Sequence, residues 1–291
     1  MRCRFVEVLG SPVFVREWGE ATAPAVLYWD GIGGCGLHAN ELAPVLRDRF
    51  GLRVISLDPP GHGRSGAVPL ASYRPSLLAD LAARVLEQLD GAHVGFAGFS
   101  WGARIACSFG ARFPERVLGL VLIEGGYLEW RDLPGVDPGA SFEACIAEAE
   151  VGSDGASFPS WEAYVASERE VLRRWTPAVE DAHRAMMREE NGDFVPIVGS
   201  DIEGAVRYWG FQEPVTETYP HLAASNVPVL LLAAPPDTGE RAVVSATLER
   251  LGAALPNATV REVCGGHDLV SDAGPEVAEI AGAWLAALPT A

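Results

Sequence analysis

The sequence predicts an α/β fold: a mostly parallel central sheet of about eight strands, helices on both of its faces, and a helical cap insertion. Three observations lead there. Short apolar runs of strand length alternate with segments of helical period. Those runs have few polar breaks, as strands covered on both faces do. One long segment near the middle abandons the rhythm. With 291 residues, 48% of them hydrophobic, the chain has enough apolar material for one large core and an insertion.

The elements follow in order. Residues 3–8 and 12–18 read as two extended segments, separated by the turn pair Gly10-Ser11. Residues 25–29 form a third strand, which runs into the glycine-rich loop 30–36. A helix over 38–49 and a strand over 53–57 come next. Leucines and alanines at helical spacing predict a helix over 76–89. A strand over 93–97, a small-residue helix over 101–112 and a strand over 116–123 continue the alternation. Strands over 227–233 and 258–263 follow much later, with helices over 239–254 and 275–287. Such alternation favours parallel strands joined by right-handed crossovers. The stretch 127–222 holds no convincing strand and reads as a helical lid. The chain therefore divides into a first core part, 1–126, a cap, 127–222, and a second core part, 223–291.

Chemistry concentrates at a few places. Gly98-Phe99-Ser100-Trp101-Gly102 fits G-x-S-x-G between a predicted strand and a predicted helix. A sharp strand-to-helix turn pushes the serine hydroxyl outward, and glycines two residues either side remove Cβ atoms that would clash. Leu57-Asp58-Pro59-Pro60-Gly61-His62-Gly63-Arg64-Ser65 is a second motif. Gly265-Gly266-His267-Asp268-Leu269-Val270 is a third, and 228–237, ending in Asp237, a fourth.

Together and in this order, these segments resemble the α/β-hydrolase fold superfamily over 1–126 and 223–291. The resemblance implies Ser100 as nucleophile, Asp237 as the acid and His267 as the base. A serine hydroxyl is a weak nucleophile until a base takes its proton, and an imidazole titrates near neutrality. A carboxylate fixes the imidazole tautomer and steadies its cation. Glu124, at the end of the sixth strand, is the alternative acid. Asp237 also fits a helix-cap pattern with Glu240. His62, in a glycine-flanked turn, reads as structural.

The resemblance also implies an oxyanion hole from the N–H groups of Trp101 and Ile32. Here the chain departs from the family, because Asp30-Gly31 stands where His-Gly is usual. A carboxylate beside a developing oxyanion would oppose it, so Asp30 must point away, be neutralised or serve another role. Asp30 and Gly31 are candidate substrate contacts. So are Tyr127, Trp130, Trp161, Trp209 and Phe211, an apolar and aromatic lining supplied by the cap and its approaches. The side chain of Trp101 is expected on the cavity wall.

Composition excludes other classes. A formal net charge of −17 repels phosphate backbones and anionic lipid, so neither nucleic acid nor a membrane is an expected partner. No apolar run is long enough to span a bilayer, and charges interrupt the N-terminus too early for a signal peptide. Five cysteines without knuckle spacing read as reduced thiols in a cytoplasmic protein. No cofactor is implied, and no metal-ligand spacing appears in the sequence. The partner is a small-molecule substrate; the oligomeric state is left open. Three readings stay open: ester, thioester or lactone hydrolysis through an acyl-enzyme; C–C hydrolysis, lyase or cyclase chemistry on the same scaffold; and ligand binding without turnover.

Overall fold

A computed structural model describes residues 1–288 apart from 92, 134, 154–156 and 236–240. The strands in chain order are β1 (Arg2–Val8), β2 (Ser11–Trp18), β3 (Ala25–Trp29), β4 (Arg53–Leu57), β5 (Val94–Phe99), β6 (Val117–Ile123), β7 (Met187–Glu190), β8 (Asp193–Pro196), β9 (Val229–Ala233) and β10 (Thr259–Glu262). Helices are α1 (Leu42–Phe50), α2 (Pro75–Gln88), α3 (Trp101–Arg112), α4 (Phe142–Ser153), α5 (Trp161–Val171), α6 (Pro177–Arg184), α7 (Ser200–Gln212), α8 (Tyr219–Ala224), α9 (Arg241–Ala254) and α10 (Leu269–Ala286).

Eight strands form one sheet in the order β1-β2-β4-β3-β5-β6-β9-β10. From β4 onward the neighbours are parallel, while β1 and β2 make an antiparallel edge. Alternation along each strand divides the interior in two. Leu27, Trp29 and Phe96 face one core with α2, α3 and α9. Val26, Tyr28, Ala97 and Phe99 face the other, beneath α1 and α10. Side chains alternate between the faces of a strand, so uninterrupted apolar runs fill both cores at once. At the antiparallel edge the buried Glu17 carboxylate accepts from Arg53 and from Arg4, whose Nη2 lies 2.7 Å away.

The segment between β6 and β9 is mostly helical but contains a hairpin, β7–β8, which the sequence reading missed. Its turn is Asn191-Gly192, both at positive φ, a tight-turn pair that matches the twist of paired strands. The C-terminal part of the segment is not a separate layer. Ala205, Val206, Tyr219 and Leu222 share the core beneath α2 and α3. α4 packs on α7, where Gly204 has no room for a Cβ against Ile146.

Candidate active site

β5, β6 and β9 end side by side, and the site is built on their C-terminal tips. Phe99 pairs with Ile123, and Ile123 with Leu232. Ser100 and Glu124 are therefore the next residues on neighbouring strands. The Ser100 N–H donates to Ile123 O at 2.8 Å, and the Glu124 N–H donates to Leu232 O at 2.9 Å. Both residues then leave the sheet at positive φ, 51° and 44°, a conformation that non-glycine residues seldom adopt.

Glycines make these turns possible. A Cβ on Gly98 would lie 2.3 Å from Gly102 O, and one on Gly102 would lie 2.1 Å from Trp29 O. A Cβ on Gly125 would lie 2.2 Å from Ser100 O. Side chains at these places would push the serine turn off the strand tips.

His267 arrives from the opposite side, in the loop between β10 and α10. Gly265 before it has no room for a Cβ against Leu269, and the Gly266 N–H donates to Asp272 at 2.7 Å. The imidazole lies over Phe99, with ring centroids 5.5 Å apart. Nε2 is 3.0 Å from Ser100 Oγ, and Nδ1 is 3.3 Å from Glu124 Oε2. The other oxygen, Glu124 Oε1, accepts from the Ala234 N–H at 2.6 Å and from Tyr127 Oη at 3.2 Å. A carboxylate held by two donors orients an imidazole, and that imidazole reaches a hydroxyl: this order of contacts suits general-base activation of an alcohol.

Among the described residues the carboxylate facing His267 is thus Glu124. Asp237 lies outside the described residues. Glu124 left a signal in the sequence: Glu124-Gly125-Gly126 closes a strand with two residues that suit a tight departure.

Two cavities meet at Ser100 and His267. One, of about 570 Å³, is lined by Glu124, Tyr127, Leu128, Trp130, Arg104 and Arg173 among others. The second, of about 450 Å³, runs along Asp30, Gly31 and Ile32 to Phe158, Tyr164 and Met187. Of the candidate substrate contacts, Tyr127, Trp130, Asp30 and Gly31 line these cavities. Trp161, Trp209 and Phe211 do not. Trp161 sits at a separate surface cleft with Glu180 and Arg184. Trp209 donates to Leu70 O at 2.9 Å and carries the Arg74 guanidinium on its ring, 4.2 Å away. Phe211 is buried beneath Arg207. Trp209 thus packs the cap to the core, while Trp161 and Phe211 pack within the cap.

Trp101 also differs from expectation. Its indole is fully buried, stacked on His62 and edge-on to Trp29, and lines neither cavity. His62 is structural: Nδ1 is 2.9 Å from Pro60 O, and burial pushes its pKa down. Asp58 of the same motif is buried and accepts from the N–H groups of Gly36 and Arg64 and from Arg16.

The Asp30 carboxylate is fully buried and has partners of its own. It accepts from the Gly31 N–H at 2.8 Å and from Tyr28 Oη at 3.2 Å, and its Oδ2 is 3.0 Å from His38 Nδ1. Gly34 wraps it so closely that a Cβ there would lie 2.5 Å from Asp30 Cγ. Burial alone would push the His38 imidazole down, but Asp30 and Asp268 outweigh it and hold the pKa up at about 9. The carboxylate that replaces the usual histidine thus has a cationic partner. Sequence reasoning did not find this partner, nor Tyr164, His183 and Arg104. Arg104 had one visible cue, a place one helical turn after Ser100.

Comparison with known proteins adds the following. Residues 24–273 match the alpha/beta hydrolase fold family. The chain is 42% identical over 110 residues to a 2-hydroxy-6-oxononadienedioate/2-hydroxy-6-oxononatrienedioate hydrolase of Escherichia coli K12, a match that covers 37% of each chain. It is 33% identical over 131 residues to the chloroplastic protein PHYLLO of Arabidopsis thaliana, 41% of this chain and 8% of that one. The chain thus spans well under half the length of the curated relatives it matches. Among solved structures it is similar to the thioesterase domain from the curacin biosynthetic pathway. The TM-score is 0.78 with 21% identity, over 97% of this chain and 99% of that one.

Proposed function

Since this chain belongs to the alpha/beta hydrolase fold family, we propose that it hydrolyses an ester, thioester, lactone or related carbonyl compound through an acyl-enzyme on Ser100. The observation that carries this reading is the unbroken contact series Glu124–His267–Ser100 at the junction of two cavities. His267 Nε2 takes the proton of Ser100 Oγ as the oxygen attacks the carbonyl carbon. Glu124 fixes the tautomer that leaves Nε2 free to accept, and it stabilises the imidazolium that forms. The Trp101 and Ile32 N–H groups receive the oxyanion. His267 then returns the proton to the leaving group, and water repeats the sequence to release the acid.

The Asp30–His38 pair is compatible with this chemistry. Its carboxylate is buried and paired with the His38 imidazole, which offsets its charge toward the oxyanion. The walls suggest a medium-sized, largely apolar or aromatic substrate. Leu128, Trp130 and Leu133 line one cavity, and Phe158, Met186 and Met187 line the other.

A second reading, C–C bond hydrolysis, is favoured by the Escherichia coli relative, whose named substrate is an oxo-diacid rather than an ester. A fluorophosphonate probe followed by peptide mapping tests the serine first. Labelling at Ser100 that is lost in Ser100→Ala and His267→Ala supports the reading, and absence of labelling on folded protein overturns it. A panel of acyl esters and vinylogous diketones then separates the two chemistries.

A further inference from the structure

On the wall of the second cavity, beside Asp30, three donors from distant parts of the chain come together. They are His38 after β3, His183 on α6 of the cap, and Asp268 at the start of α10. One ligating atom from each lies within 4.8 Å of the other two.

Two further observations point to a ligand. First, both imidazoles are held by their Nδ1 atoms. His38 Nδ1 is 3.0 Å from Asp30 Oδ2, and His183 Nδ1 is 2.7 Å from Tyr164 Oη, with Glu168 Oε2 at 3.6 Å. Outer contacts of this kind orient metal-binding histidines and leave Nε2 to bind. Second, His183 is 4% exposed and its Nε2 has no hydrogen-bond partner among the described residues. A buried polar nitrogen without a partner costs free energy unless something fills its place.

We propose that His38, His183 and Asp268 form a divalent transition-metal site of the zinc class, which ties the cap to the core beside Ser100. Two imidazoles and a carboxylate are a common zinc set, with a fourth position left for water or substrate. Ligands about 2.0–2.1 Å from a tetrahedral ion lie about 3.4 Å from one another. His38 Nε2 and Asp268 Oδ2 are already 3.7 Å apart. The ion takes the place of the proton on His38 Nε2 and of that nitrogen's contact with Ser271 Oγ, now 3.0 Å. Among the described residues, three carboxylates, Asp30, Glu168 and Asp268, line this cavity with His38 and His183 and no Lys or Arg, which suits a dication. The site stands apart from the serine chemistry and does not depend on it.

The test is equilibrium dialysis of the chelator-treated full chain against Zn²⁺, with metal analysis, and a parallel titration with Co²⁺. Trp175, whose ring centroid lies 4.9 Å from that of His183, supplies a fluorescence readout. The expected result is one Zn²⁺ per chain at micromolar metal, a tetrahedral Co²⁺ spectrum and a change in Trp175 emission. His183→Ala should abolish all three. Asp268→Asn retains a side chain that caps α10 and should weaken binding by more than about tenfold, as should Asp30→Asn, which frees the His38 ring. No stoichiometric binding by the folded protein overturns the proposal. So does binding that survives in His183→Ala and Asp268→Asn but disappears in Cys3→Ser/Cys264→Ser, because the ion then sits on the exposed thiols.

Discussion

Two histidine–carboxylate pairs flank Ser100, and they are built for opposite ends. His267 faces Glu124 with 64% of its side chain exposed. His38 faces Asp30 with 6% exposed, and Asp268 stands on its other side. The residue types are the same; the surroundings are not. Asp30 and Asp268, on either side of the buried His38 ring, hold its pKa up at about 9. His267 has an open face and, among the described residues, Glu124 beside it. Burial and the number of charged neighbours, rather than the pair itself, set how firmly an imidazole holds its proton.

The largest effect that tests this contrast is at the exposed pair. Ser100→Ala or His267→Ala should lower kcat/KM for an acyl ester by at least about 10⁴-fold, measured at matched folded concentration. Next is the identity of the acid. Glu124→Gln should lower kcat by about 10³–10⁴-fold, while Asp237→Asn should stay within about threefold. The reverse order would move the acid to Asp237 and leave Glu124 a packing residue.

The buried pair should answer in stability. His38→Gln leaves Asp30 and Asp268 without their cation and should cost about 3 kcal/mol in urea denaturation of the metal-free protein. Adding Asp30→Asn should recover part of that loss, because the stranded charge is then removed. A double variant no better than the single would break the comparison.

The smallest effect lies far from both pairs, at Glu17. Burial pushes this carboxyl up, but Arg53 and Arg4 outweigh it and hold its pKa below the usual range. Its contribution to stability is present above the unfolded value of about 4.3 and is lost as pH falls through the lowered folded value. Glu17→Gln should therefore flatten the acid limb of a stability–pH curve and leave the esterase profile unchanged.

Much of this was legible in the sequence because the physics is local. Strand runs, helical spacing and the glycines around Ser100 each encode a nearby steric demand. The Asn191-Gly192 hairpin was equally local and was overlooked inside a segment dominated by helical spacing. The Glu124 contact was not a local matter. Only the packing of the His267 loop brings the imidazole to it, and Asp237 lies outside the described residues. Aromatic type likewise did not separate lining from packing: Trp130 reaches the cavity, and Trp209 does not. The Asp30–His38–His183 cluster was hidden most deeply. Its members lie on a core loop and a cap helix, and no spacing in the chain brings them together before the cap docks.

The meeting of two cavities at Ser100 has a kinetic consequence. On the proposed chemistry, the acyl group and the leaving group part in opposite directions. The first product can then diffuse away without passing the acyl chain, and its vacated cavity becomes the entrance for whatever attacks next. Water is one acceptor; a small alcohol of matching shape is another. Turnover in the presence of such an alcohol should divide between acid and new ester, in a ratio set by the walls of the emptied side.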